Sequence, residues 1–396
     1  MVNAYSTYYD YGDSFHFYIY ELANFSFLAF CILLAYQLKW LAPLSMWVWL
    51  ALSFVPLLGN YFLFSPYLFG DQFSYFDEIT ALKTTGESVD YVAATKALRG
   101  GQVSEITITA KILGLVPIPA TMTVTSLSFA NKFLSFFLFL WLSRFFDEKK
   151  LLLIFLIPSF VLYASLGLRD FLILFLSILS LLYLVRKNYF FGVLFLAPLY
   201  FLKLQMFAFI SIYLLGRAIF QAHKSFFGMM LFAILGLTFL IIFQETFLLW
   251  INYYKVGFFA ENFAGGYQGW GKYGDASLVE VNSIFEFIWQ GLINLPSLVF
   301  MPLPWQWNSP LSALQSIESF GLFFALVYII KKYSKAYDQE LIFLLACMGL
   351  GMFVYAFLAE NVGTFVRYRF TLFLPFFIAS IYVLDRNYNS ASIERR

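Results

Sequence analysis

Two arginines, Arg367 and Arg369, stand one residue apart in "AENVGTFVRYRFTLFLPF", directly before an apolar run. A guanidinium is a planar fork of donors that matches phosphate oxygens, so arginines at a membrane edge point toward phosphate chemistry. Three more cations sit at comparable junctions: Lys132 in "FANKFLSF", Arg169 in "LGLRDF" and Lys203 in "YFLKLQ". Charges held at such places usually pair or line a polar site. Each alone is equally well a snorkelling or ion-paired side chain, with Asp170 beside Arg169 and Glu360 as a partner for Arg367. Together the five would form a cationic bowl suited to a lipid-linked phosphate or pyrophosphate. Asp71, directly after Gly70, is the best-placed candidate base, followed by Asp77, Glu78 and Glu360. Glu318 lies early in an apolar run, where partial burial suits acid–base work. For Asp77 and Glu78 the favoured role is that of acids in the first turn of a helix.

The geometry of "VRYR" depends on its backbone. Residues two apart share a side of an extended chain but not of a helix. Both arginines can grip one phosphate only if the segment is loop. If a helix has already begun, one arginine faces the site and the other braces it.

The elements that must position these residues follow from composition. The chain has 396 residues, 61% hydrophobic and 12% charged, with mean hydropathy +0.76. Soluble domains carry about a quarter charged residues. Apolar runs near bilayer-crossing length recur throughout, continuous rather than alternating, which predicts an all-α polytopic integral membrane protein and excludes a β-barrel. About eleven spans are expected, near 17–37, 41–64, 119–143, 151–167, 171–185, 189–202, 204–221, 225–245, 311–330, 341–359 and 371–385. Phe (52) and Tyr (27) supply lipid-facing bulk and interfacial belts. Cys31 and Cys347 fall inside apolar runs and read as packing residues, not a disulfide. The net charge of +2, with no basic tail, argues against nucleic acid. No cleavable leader is expected, because "MVNAYSTYYDYGDSF" lacks a basic region.

Lys39, Arg144, Lys149, Lys150, Arg186, Lys187, Arg217, Lys224, Lys331, Lys332, Lys335, Arg386, Arg395 and Arg396 gather in one alternating set of short loops and the C-terminal tail. Translocating cations is unfavourable, so this set marks the cytoplasmic face, with the N-terminus outside and the C-terminus inside. For a bacterial chain the location is the inner membrane and the opposite face is periplasmic. That face holds two long loops, 65–118 and 246–310. The whole chain, 1–396, reads as a single transmembrane domain. In the first loop, Ser88 caps an amphipathic helix "VDYVAATKALRGG" expected to lie on the membrane. In the second, the glycine-rich 261–274 segment is a candidate lid. Val281, Ile284, Phe285, Ile288 and Leu292 then recur at helical spacing, with prolines and Trp305 and Trp307 after them, as in an interfacial or re-entrant helix. A full crossing there would turn the Lys331, Lys332 and Lys335 cluster outward.

His16 and His223 fall on opposite faces, and no cysteine cluster, phosphate-binding loop, serine elbow or Asp-x-Asp pair is present. No metal and no cofactor is therefore expected. The patch Gly70, Asp71 and Tyr75 resembles the opening of the first external loop in bacterial membrane glycosyltransferases of the GT-C kind. "LGLRD", "PLPW…E" (Pro302, Pro304, Trp305, with Glu318 beyond) and "RYR" before "LFLPF" resemble membrane polysaccharide polymerases, the O-antigen polymerase or Wzy-type group. The resemblance covers the topology and these short motifs. It implies transfer of a glycan from undecaprenyl pyrophosphate to another lipid-linked repeat, with Asp71 as base and functional external arginines. It also implies the lipid bilayer and an undecaprenyl-linked oligosaccharide as partners, with a chain-length regulator a further candidate. Many GT-C enzymes carry a large C-terminal periplasmic domain that this chain lacks, a departure that favours a polymerase. Two alternatives stay open: transfer of one sugar from a polyprenyl-phosphate donor, and a lipid-linked glycan flippase. No inverted or tandem repeat is evident, and the charges gather at one face rather than mid-span, both of which weigh against transport.

Overall fold

The structure, a computed structural model, describes residues 15–58, 71–84, 86, 105–223, 281–307, 309–332, 339–358 and 362–393, with isolated positions between 234 and 252. Among the described residues the regular structure is helical, with no strand. Among the described residues, five helices are long and apolar enough to cross a membrane: Ile19–Gln37, Val124–Leu142, Pro310–Lys331, Gln339–Leu358 and Phe365–Arg386. Shorter apolar helices lie at Pro43–Leu58, Tyr189–Leu202, Leu204–Ala218 and Ile284–Phe300. The chain is thus a helical protein with the makings of several membrane crossings.

The chain divides into two compact units, residues 1–179 with 193–204, and 180–192 with 205–396. The first unit contains α1 (Phe15–Gln37), α2 (Pro43–Leu52), α3 (Val55–Leu58), α4 (Asp71–Thr84), α5 (Glu105–Gly114), α6 (Val124–Leu142), α7 (Glu148–Phe155) and α8 (Pro158–Tyr163), with most of α9 (Arg169–Val185) and α10 (Tyr189–Leu202). Trp49 of α2 is fully enclosed. Its ring meets Phe136 and Phe139 of α6 and Phe155 of α7 edge-on, at centroid distances of 5.2, 5.4 and 5.7 Å, the arrangement favoured by the ring quadrupoles. Ala42, the residue before α2, has no side chain able to cap it. Glu148 does so from α7: its Oε2 accepts from the Ala42 backbone N–H at 3.0 Å and from Ser45 Oγ at 2.6 Å. A carboxylate there also matches the positive end of the helix dipole.

The expected span 151–167 does not form one helix. Proline lacks an N–H and pushes the preceding residue out of the helical region. Ile157 accordingly adopts φ −55°, ψ 128°, and Pro158 opens a new helix. The resulting pieces, of 8 and 6 residues, reach roughly 12 and 9 Å, well short of a bilayer core. The expected span 225–245 falls almost wholly outside the described residues. So do the helix expected after Ser88 and the segment 261–274.

The second unit contains α11 (Leu204–His223), α12 (Ile284–Phe300), α13 (Pro310–Lys332), α14 (Gln339–Leu358), α15 (Val362–Tyr368), a π-helical turn (Arg369–Phe373) and α16 (Leu374–Ile393). The last three run on without a break. α14 is central to the packing: Phe353 and Phe357 hold Phe287 of α12 edge-on at 5.5 and 4.7 Å, and Tyr355 stacks on Tyr368 at 4.2 Å. Gly351 lets the π-helical turn approach, since a Cβ there would meet Leu372 at 2.7 Å. Near the other end of α14, Glu340 is held by Arg217 (2.6 Å), Arg386 (2.9 Å) and the Tyr213 hydroxyl (3.1 Å).

Replacing Trp49 by Ala removes the centre of the first unit's aromatic cluster. The expected cost is about 3–5 kcal/mol, read as a lower unfolding temperature of the detergent-solubilised protein. Phe137→Ala, at an exposed position on α6, is expected to leave that temperature nearly unchanged.

Candidate functional site

Within the first unit, the sequence neighbours of two residues singled out above, Asp71 and Lys132, hold one short backbone stretch that leads into a third, Arg169. Residues 164–168 connect α8 to α9 inside the unit, away from solvent. Buried backbone groups outside regular structure need partners. Gln72, next to Asp71 on α4, accepts the Gly167 N–H on Oε1 at 2.9 Å. Asn131, next to Lys132 on α6, donates from Nδ2 to the carbonyls of Leu166 and Leu168, both at 2.7 Å. Arg169 follows immediately as the first residue of α9. Gly167 is required for this fit, because a Cβ would lie 2.8 Å from Leu127 Cβ. Gln72 and Asn131, widely separated in sequence, therefore hold one pinned turn, and Arg169 follows it directly.

The interior around that turn is polar. Thr125, Ser128, Lys132 and Ser135 recur at steps of three and four along α6 and form one stripe. All are buried, Lys132 to 1% exposure. Thr125 Oγ1, Ser135 Oγ and Asn131 Oδ1 are enclosed and make no hydrogen bond. Glu78 and Asp170 are buried as well. Helix α4 begins at Asp71, so Asp77 and Glu78 fall in its second turn rather than the first turn expected for them. Half-burial pushes the Asp77 carboxyl up to about 6. Lys203, half-buried, sits at the break between α10 and α11, its N–H bonded to the Leu199 carbonyl at 2.8 Å.

In the second unit the chain is helical from Val362 onward, so the condition for both arginines to grip one phosphate is not met. Arg369 is 3% exposed. Its Nη1 donates to the carbonyls of Leu298 at 3.2 Å and of Val299 and Met301, each at 3.0 Å. These are the last carbonyls of α12, which lack partners within the helix. Ser319 Oγ also reaches the Met301 carbonyl, at 3.4 Å. Arg369 braces the end of α12, as the helical alternative for "VRYR" requires. Arg367 is half-buried. Glu318 of α13 is 9% exposed and adjoins Ser319 in sequence. Glu360 lies outside the described residues, and no side-chain placement is described for Asp71. Among the described residues no group of three His, Cys, Asp or Glu side chains is arranged to hold a metal ion.

Sequence reasoning missed Gln72 and Asn131. Their one signal was an amide inside or beside an apolar run. It also took the early acids of the first loop as helix-start residues, which hid the burial of Glu78. Compared with known families, curated proteins and solved structures, the chain matches none.

Two measurements follow from this geometry. Arg369→Met strips the Leu298 and Val299 carbonyls of their guanidinium donor, at about 1–3 kcal/mol each, and leaves Met301 the longer contact from Ser319. It is expected to lower stability by about 3 kcal/mol or more, while Arg367→Met costs less. Paired thermal melts of the two variants decide, and equal losses would remove the bracing role of Arg369. Asp77 has a raised pKa, so the folded state holds its proton more tightly than the unfolded chain. The resulting stabilisation is fully present below about pH 4, the ordinary carboxylate range, and is lost as pH rises through about 6. Asp77→Asn should therefore melt higher than the parent at pH 8 and together with it at pH 4.

Proposed function

We propose that the protein is a membrane glycosyltransferase of the polysaccharide-polymerase kind. It would act at the periplasmic face of a bacterial inner membrane on undecaprenyl-pyrophosphate-linked oligosaccharide repeats. The acceptor hydroxyl attacks the anomeric carbon of the donor glycan, and the bond from that carbon to the pyrophosphate oxygen breaks. The acceptor proton passes to Asp71, and undecaprenyl pyrophosphate leaves. Arg169, Lys203 and Lys132 would offset the charge that develops on the leaving pyrophosphate. The observation that carries the reading is the pinned turn at 166–168. It is held by Gln72 and Asn131, the sequence neighbours of Asp71 and Lys132, and is followed by Arg169, beside a buried stripe of hydroxyl groups on α6. A carboxylate, cations and hydroxyls suit a charged, polyhydroxylated substrate, and the step needs no metal when cations hold the leaving group.

The test has a cellular and a purified arm. A deletion strain is expected to accumulate single lipid-linked repeats and lose long polymer. Protein in vesicles with undecaprenyl-pyrophosphate-linked repeats should form polymer and release undecaprenyl pyrophosphate. Asp71→Asn should lower that rate about 10²–10⁴-fold, the usual range for loss of a general base. Long chains of normal length in the deletion strain would overturn the proposal. Movement of the lipid-linked glycan across vesicles with no covalent product would point to a flippase. Transfer from a polyprenyl-phosphate sugar would point to the single-sugar enzyme.

A further inference from the structure

Where α1 turns back into α2, beside the start of α7, the first unit has an open hollow of about 490 Å³. Sites for small ligands are of this order, about 300–1,000 Å³. Lys39 and Glu148 both line it, together with Tyr36, Gln37 and Pro43. Their charges are opposite, yet no ion pair joins them, and among the described residues the Lys39 ammonium has no partner. The backbone holds both residues in place. Lys39 closes α1 with φ 59°, in the left-handed region that favours glycine. Its N–H is bonded to the Tyr36 carbonyl, and the next N–H, of Trp40, reaches the Ala35 carbonyl, both at 2.9 Å. Glu148 is anchored through one oxygen: Oε2 accepts from the Ala42 N–H at 3.0 Å and from Ser45 Oγ at 2.6 Å. Its Oε1 accepts no hydrogen bond among the described residues.

A cation and an anion that line one hollow without meeting suit a ligand that carries both signs. We propose that this hollow binds the headgroup of phosphatidylethanolamine, its phosphate accepting from the Lys39 ammonium and the Gln37 amide, and its own ammonium donating to Glu148. Two observations of different kinds support the assignment. The first is the donor and acceptor set. An ammonium, an amide and the Tyr36 hydroxyl offer hydrogens to a phosphate, and a carboxylate with an uncommitted oxygen accepts from an amine. A simple anion would be repelled by Glu148 and a simple cation by Lys39, so neither suits the hollow as well as a zwitterion. The second is the setting. Leu38, Trp40 and Leu44, each next in sequence to a residue lining the hollow, are exposed. Exposed tryptophan beside aliphatic side chains is the pattern of a membrane–water interface, which leaves apolar surface for the acyl chains of the same lipid. The inference uses none of the residues of the polymerase reading and is independent of it.

The test is native mass spectrometry of the full chain released from nanodiscs that hold equal amounts of phosphatidylethanolamine, phosphatidylcholine and phosphatidylglycerol. All three lipids carry the phosphate, but only the first has an ammonium with N–H donors. The parent protein should retain phosphatidylethanolamine over each of the others by at least about tenfold, the ratio that one charge-assisted hydrogen bond supplies. Glu148→Gln, whose amide oxygen can still take the Ala42 N–H and the Ser45 hydroxyl, should lose that preference. Lys39→Gly suits the left-handed backbone and so leaves the protein folded; it should lower retention of all three lipids several-fold. In detergent, phosphatidylethanolamine should raise the melting temperature, and soluble glycerophosphoethanolamine at the same concentration should not, which separates a bound lipid from a bound headgroup alone. Equal retention of the three lipids by the parent, a preference for phosphatidylglycerol, an unchanged preference in Glu148→Gln, unchanged retention in Lys39→Gly, or equal stabilisation by glycerophosphoethanolamine would each overturn the inference.

Discussion

Arg369 and the carbonyls at the end of α12 express the constraint on which the fold depends. Where water does not reach, every interrupted backbone segment must find its hydrogen-bond partners inside the protein. A helix that stops among its neighbours exposes its last carbonyls, which also carry the negative end of the helix dipole. A guanidinium answers both needs, and Arg369 Nη1 meets three carbonyls within 3.2 Å. The π-helical turn beginning at Arg369 changes the register of side chains at this point. Tyr355 stacked on Tyr368 and Gly351 against Leu372 hold that turn against α14.

The same constraint recurs with other side chains. In the first unit the interrupted stretch is residues 164–168, and the partners are the amides of Gln72 and Asn131. An amide suits this place because it both donates and accepts, so one residue type can serve an N–H or a carbonyl. At the end of α9 Arg217 donates to the carbonyl of Val185 and to that of Leu184, which also accepts from the Lys187 N–H, and the charge of Arg217 is balanced by Glu340. Gln72, Asn131, Arg217 and Arg369 thus reach to places where the backbone is broken.

This explains how far the sequence could be read. Helical character and the longest crossings were visible, because α1, α6, α13 and α14 are sustained apolar runs whose period matters less than their length. The two possible geometries of Arg367 and Arg369 were also visible, because helical and extended spacing give opposite answers for residues two apart. The failure at 151–167 came from judging hydropathy over a window. Leu, Ile and Phe on both sides of Pro158 look continuous, while the backbone at Ile157 must leave the helix. Gln72 escaped notice because a neutral amide next to an acid contributes neither charge nor periodicity. Its importance appears only when Gly167, far along the chain, is found at its Oε1. Glu78 was misread for a related reason. Its role depends on where α4 begins, and helix starts are poorly marked when the run is only moderately apolar.

The end of α12 also bears on the direction of every later helix. Met301 accepts from Ser319 as well as Arg369. Ser319 is about two turns into α13, and Arg369 about two turns past Val362. The chain between Met301 and Pro310 must therefore run back along α13 from an interior level to the level at which α13 begins. Such a path suits an element that enters and returns on one side. A helix lying on the surface would expose its last carbonyls to water and would need no arginine. A helix that crossed fully would place its end beyond both neighbours rather than between them. On this argument α12 and α13 begin at the same side. A single buried guanidinium thus links a local hydrogen-bond requirement to the orientation of the C-terminal helices.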